Sequence, residues 1–277
     1  MMLASFLLSL REGLEAALII GIVLGVLLKL KRTDLNKSVW SGAGIAVLAS
    51  LLAALMLNLL GMEFEGRAEE IFEGVAMLLA ASVLTWMIFW MHNSAGTLRE
   101  ELEEKTKGAI QEKGKKALFS LAFLAVFREG IELALFLLAV QQTASPFQTL
   151  TGAFLGLASA VVLGIFLFRS TRKLNLRSFF KVTNVLLIIF AAGMVGYGVH
   201  ELNEAGIIPS VIDPLWDINH ILSDKSQLGL VLKALTGYNG NPSLTEVIAY
   251  LTYLSAIATY VLTRPQKIWT SSPSPAA

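Results

Sequence analysis

Arg11, Glu12 and Glu15 stand within five residues of one another in an apolar stretch running from Leu3 to Lys29. About 117 residues further on the arrangement returns as Arg128, Glu129 and Glu132, inside an apolar run from Ala117 to Val140. On a helix, Arg11 and Glu15 are i,i+4 neighbours and Glu12 and Glu15 are i,i+3 neighbours. One turn therefore carries a guanidinium beside two carboxylates that can converge on a point. Four carboxylates from two such turns form a hard, oxygen-rich cage suited to a small multivalent cation. The arginines offset part of the mutual repulsion, so that binding need not become too tight for release. An intrahelical ion pair clamping a bundle would explain one triplet. Two triplets at corresponding places, each with an additional glutamate, point to function.

Those turns must be positioned by something. Each lies inside an apolar run long enough to cross a bilayer, where a charged side chain costs about 2.5–3.5 kcal/mol on insertion scales. Six such groups need a compensating use. The chain has 277 residues, 55% hydrophobic and 16% charged, well below the usual charged fraction of about 25%, and its mean hydropathy is +0.66. That composition predicts an all-α integral membrane protein. A net charge of +1 leaves no nucleic-acid footprint. The absence of cysteine excludes disulfides and thiolate ligands. With only three histidines, metal chemistry must rest mainly on oxygen.

Seven apolar segments, at 3–28, 39–60, 71–92, 117–140, 150–168, 182–200 and 244–263, predict seven transmembrane helices. Basic residues load alternate loops. The first holds Lys29, Lys31, Arg32 and Lys37, the third Arg99, Lys105, Lys107, Lys113, Lys115 and Lys116, and the fifth Arg169, Arg172, Lys173, Arg177 and Lys181. The second carries Glu63, Glu65, Glu69 and Glu70 against Arg67, and the fourth, from Gln141 to Thr149, is uncharged. The positive-inside rule then puts the N-terminus outside and the tail, with Arg264 and Lys267, inside. Arg11 and Glu12 interrupt the first run and no basic leader precedes it, which predicts a retained span rather than a cleaved signal.

The first span thus runs inward and the fourth outward, so the two motif helices are antiparallel. Weaker likeness follows the motifs. Gly42-Ala43 resembles Gly152-Ala153, and Val75 to Ala81 can be laid on Val185 to Ala191. Spans one to three (1–92) and four to six (117–200) predict an inverted 3+3 repeat plus one extra helix at 244–263, all within a permease domain of 1–263. In such folds the site lies near the midplane where the repeats meet. Gly13 and Gly130 could break their helices or let neighbours pack closely, and close packing is the expectation.

The interval 93–116, with Glu101/Lys105 and Glu112/Lys116 at i,i+4, reads as a solvated cytoplasmic helix or a mobile loop. Its Gly-Lys-Lys misses the phosphate-loop pattern. The outer segment 201–243 reads as an interfacial or re-entrant piece over the external mouth. The Ser/Pro-rich tail, 264–277, is expected to be disordered.

A second acidic group flanks that mouth. Glu69, Glu70 and Glu73 open span three, while His200, Glu201 and Glu204 close span six. They could concentrate cations at an entrance or merely mark the water interface. Glu73, furthest into an apolar run, has the strongest claim among them. Asp217, with His220, is a weaker accessory candidate. Met87, Met91, Trp86, Trp90 and His92 read as core packing or an aromatic belt at the inner end of span three.

Arg-Glu-Gly-Leu-Glu at 11–15 and Arg-Glu-Gly-Ile-Glu at 128–132 resemble the two Arg-Glu-x-x-Glu motifs of the high-affinity iron permease family. That family includes fungal oxidase-coupled permeases, bacterial ferrous-iron uptake permeases and relatives linked to lead. The likeness extends to the seven-span layout with an outside N-terminus and covers nearly the whole chain. It implies iron import by a multi-pass permease of the cell membrane (plasma or inner), not an enzyme. Glu12, Glu15, Glu129 and Glu132 would handle the metal, with Arg11 and Arg128 as charge partners. Iron, ferrous or ferric, would be the transported ion, with no permanently bound cofactor. Expected partners are the lipid bilayer and an extracytoplasmic ferroxidase or iron-binding protein on a separate chain. The alternatives are a permease for lead or manganese, which ligand type does not distinguish, a non-transporting membrane metal-binding protein, or a membrane enzyme. Against the enzyme, neither motif has the histidine of a di-iron Glu-x-x-His pair.

Overall fold

The computed structural model describes residues 2–62, 64–94, 98–112, 114–141, 145–169, 176–224 and 226–263. The tail from 264 onward, and with it the expectation of disorder there, lies outside the described residues, as do Lys113, Arg172 and Lys173. In lipid, an apolar run can satisfy its own backbone only as a helix, and each of the seven runs is one unbroken helix. In chain order the helices are α1 (Met2–Lys29), α2 (Asn36–Met62), α3 (Arg67–Ser94), α4 (Leu98–Glu112), α5 (Lys115–Gln141), α6 (Pro146–Arg169), α7 (Leu176–Glu204), α8 (Gln227–Thr236) and α9 (Leu244–Thr263). No strand occurs among the described residues.

Five of these helices, α2, α3, α6, α7 and α9, are long and apolar enough to cross a membrane. α1 and α5 match them in length, at 28 and 27 residues, but each carries its charged triplet within the apolar run. The protein is an all-helical, multi-pass membrane protein.

Packing is organised by pairs. α1 lies mainly on α6, α2 on α5 and α3 on α7, with α1 also meeting α5. An interior cluster joins α1, α3, α5 and α7 through Leu8, Met77, Leu84, Phe136, Leu187 and Met194. The outward faces of α2, α6 and α9 expose Leu48, Leu51, Val161, Val162 and Leu251, among others, as lipid contact requires. Small residues set the crossings. A Cβ built on Gly13 would stand 2.7 Å from the Ala160 Cβ of α6, and one on Gly130 would collide with Ser50 of α2. Both motif glycines therefore allow close helix approach within unbroken helices.

Two shorter helices cover the ends. α4 is more than a solvated strut. Leu102, Thr106 and Ala109, at i, i+4 and i+7, are buried against the bundle, and Lys29 of α1 pairs with Glu103 at 3.9 Å. α8 starts on a Ser226 cap, whose hydroxyl accepts from the Gly229 N–H at 3.0 Å, and ends on Gly237 with φ 70°. A Cβ on Gly193 would stand 2.7 Å from the Gly237 Cα. Since Gly193 precedes the C-terminal end of α7 by about 16 Å at helical rise, α8 reaches well down that helix.

Candidate metal site

Helical spacing within each triplet and the α1–α5 contact together bring the two motifs face to face. One carboxylate oxygen each from Glu12, Glu15 and Glu129 lies within 4.8 Å of the others. Glu132 stands outside that trio, paired with Arg128 at 3.7 Å. All four glutamates are buried. Glu12 Oε2, Glu129 Oε2 and Glu132 Oε2 have no hydrogen-bond partner among the described residues. A buried carboxylate oxygen without a donor is costly, and a multivalent cation held by several carboxylates would relieve that cost.

The arginines differ in their surroundings. Arg11 is wholly enclosed. Its Nη1 donates to Glu12 Oε1 at 2.8 Å and to Met87 Sδ at 3.0 Å, and its Nη2 lies 3.1 Å from Glu15 Oε1. Arg128 keeps 38% of its side chain exposed. Its Nε donates to Glu129 Oε1 at 3.0 Å, its Nη2 bonds the same oxygen, and its guanidinium carbon lies 5.0 Å from the centre of the Trp90 ring. The six groups carry a formal charge of −2 when ionised, so a cation entering the trio meets net attraction.

The sequence profile of the iron permease FTR1 family matches residues 2–266. The chain belongs to this family. It is 35% identical over 264 residues to the ferrous iron permease EfeU of Escherichia coli O6:K15:H31, covering 94% of this chain and 96% of the relative. The EfeU permease of Shigella sonnei is 35% identical over 91% of this chain and 92% of its own length, and that of Yersinia pestis 34% over 91% and 90%. All three relatives carry permease names rather than enzyme names. No solved structure matches this chain.

In this FTR1-family chain the expected accessory acids also meet. Arg67 Nε donates to Ala205 O at 2.9 Å, and a Cβ on Gly74 would stand 2.9 Å from Gly198 O. These contacts place Glu69, Glu70 and Glu73 beside His200, Glu201 and Glu204 at one end of α3 and α7. His200 lies 3.5 Å from Glu204 and 3.4 Å from Glu246 of α9. Glu246, absent from the sequence candidates, is buried and accepts from Asn239 Nδ2 on both oxygens at 3.1 Å. Its signal was available, as an isolated acid at the head of the apolar run 244–263. Lys233 of α8 stands 4.3 Å from the Tyr197 ring centre, and burial pushes its ammonium below the ordinary lysine range against the pull of Asp224, Glu201 and Glu246. Asp217 is not drawn into this group. It is exposed and accepts from the Asn219 N–H at 3.0 Å, closing a local turn; His220 is exposed in the same loop.

The apolar reading of the Met/Trp group holds for Met87, which is buried in the interior cluster, and Trp86 is exposed as an aromatic-belt residue would be. Their neighbours add more. Met87 and Trp90 contact the two motif arginines, which sequence spacing within α3 could not reveal. The side chains of Met91 and His92 lie outside the described set.

Proposed function

We propose that this protein imports iron across the cell membrane, with the ion passing through the carboxylates of the two Arg-Glu-x-x-Glu motifs at mid-depth. The observation that carries the reading is the buried trio of Glu12, Glu15 and Glu129, joined from helices far apart in sequence, with carboxylate oxygens left free of donors. Family membership supplies iron as the cargo class. Glu132 joins the site as the ion moves, since its free oxygen lies one turn beyond Glu129 on α5.

The seven spans in this reading are α1, α2, α3, α5, α6, α7 and α9, with the N-terminus outside. An inverted repeat relating α1–α3 to α5–α7 is supported by the pairing of helices: first with second, second with first, third with third. It is supported also by two matching crossings. Gly13 on Ala160 corresponds to Gly130 on Ser50 under the offsets that align the motifs and the Gly-Ala pairs. The acids near His200, with Glu246, gather cations at the outer mouth, and α8 is a re-entrant piece beside it. An extracytoplasmic ferroxidase or iron-binding protein on a separate chain would deliver the cargo.

Uptake into proteoliposomes tests this reading directly. Purified protein supplied with defined ferrous or ferric iron should accumulate iron inside, ahead of manganese and lead. Vesicles that exclude iron, or that favour one of the other metals, would contradict it.

A further inference from the structure

The carboxylates do not by themselves account for how differently the two arginines are held. Both occupy the first place of an equivalent triplet, yet Arg11 is enclosed while Arg128 is partly open. One face of α3 meets both arginines. Met87 and Trp90 lie one turn apart there, and each contacts a different motif arginine: the thioether with Arg11 at 3.0 Å and the indole with Arg128 at 5.0 Å.

Arg128 commits two of its N–H groups to Glu129 Oε1, leaving Oε2 free. A cation that takes both oxygens of Glu129 therefore competes with the guanidinium for Oε1. The indole face, which already lies 5.0 Å from the guanidinium carbon, can keep hold of it at that point, because the ring quadrupole attracts a cation without competing for the carboxylate. Arg11 has no such freedom. Its side chain is fully buried, and the thioether gives its Nη1 a soft acceptor beside Glu12.

We propose that α3 is the positioning element of the ion site: Met87 fixes the Arg11 guanidinium against Glu12 and Glu15, and Trp90 keeps hold of the Arg128 guanidinium as cargo takes Glu129. The inference rests on the carboxylate reading of the preceding section. Arg11 is then a standing charge that holds two ligands in place, and Arg128 a movable one that exchanges with the ion.

The test is iron uptake by purified variants in proteoliposomes, with KM and Vmax separated. Trp90→Leu should raise KM about three- to tenfold, the range expected from losing one such contact, while Vmax stays within about twofold. Trp90→Phe, which keeps a ring face, should recover most of the loss. Met87→Leu should raise KM, and Met87→Gln, which restores an acceptor, should lower it again. Equal KM in wild type, Trp90→Leu and Trp90→Phe would overturn the proposal, as would a uniform fall in Vmax that the ring does not rescue. Should Trp90→Leu fail to reach the membrane, Trp90→Met against Trp90→Phe makes the same comparison. Glu12→Gln separates the two levels. Normal uptake by that variant removes the carboxylate site itself, whereas loss of uptake there with Trp90 and Met87 variants like wild type removes only the positioning role.

Discussion

Among the six motif side chains, burial ranks the consequences of substitution. Arg11 is the guanidinium enclosed with Glu12 and Glu15, and removing one partner of a buried charge set costs about 3–5 kcal/mol. Arg11→Leu should therefore lower the amount of folded protein recovered from membranes, read by size-exclusion chromatography in detergent. Arg128→Leu should be recovered at closer to wild-type levels, because its side chain is 38% exposed, yet it should transport poorly. Equal recovery of the two variants would show that burial does not rank them. At this scale the residue types were legible from spacing alone, since Arg-Glu-x-x-Glu on any helix puts its charges on one side. Which three glutamates meet was not legible. That depends on the rotation of α5 about its axis, which decides that Glu129 rather than Glu132 joins Glu12 and Glu15. The contacts of Met87 and Trp90 were hidden for the same reason, because a methionine and a tryptophan in an apolar helix look alike whether they face lipid or a guanidinium.

For the helices, small residues are what let the site assemble. Gly13→Leu should force α1 away from α6, and Gly130→Leu should force α5 away from α2, since each glycine faces a side chain of the neighbouring helix at closer than ordinary contact. Overpacking of this kind costs about 1–3 kcal/mol or more. Both variants should melt earlier in detergent, followed by tryptophan fluorescence, and Gly25→Leu, with open space at its Cβ position, should not. A Gly25→Leu variant as unstable as the other two would place the cause elsewhere. Span positions were readable because an apolar run in lipid has one stable backbone solution. The buried face of α4 was not, because Leu102, Thr106 and Ala109 are too few among charged neighbours to announce a packed side. α8 was readable only as an indefinite outer piece. Its ten residues are docked by a glycine-to-glycine approach between Gly193 and Gly237 that leaves no pattern in hydrophobicity.

Across the whole molecule, the arrangement of basic loops predicts which side each end of the bundle faces. A chain without cysteine makes this directly measurable. An impermeant thiol reagent should label Ser210→Cys from outside intact cells and label Lys107→Cys only after the membrane is opened. The reverse pattern would invert the topology and place the His200 acids on the cytoplasmic side. The account as a whole depends on Glu12 and Glu129 holding one ion together, and the most direct measurement is a double-mutant cycle on iron affinity in the purified protein. Glu12→Gln and Glu129→Gln should each weaken binding at least about tenfold, a loss of some 1.4 kcal/mol, and the double variant should be little worse than either single one. Simple addition of the two effects, or full affinity in either single variant, would contradict it.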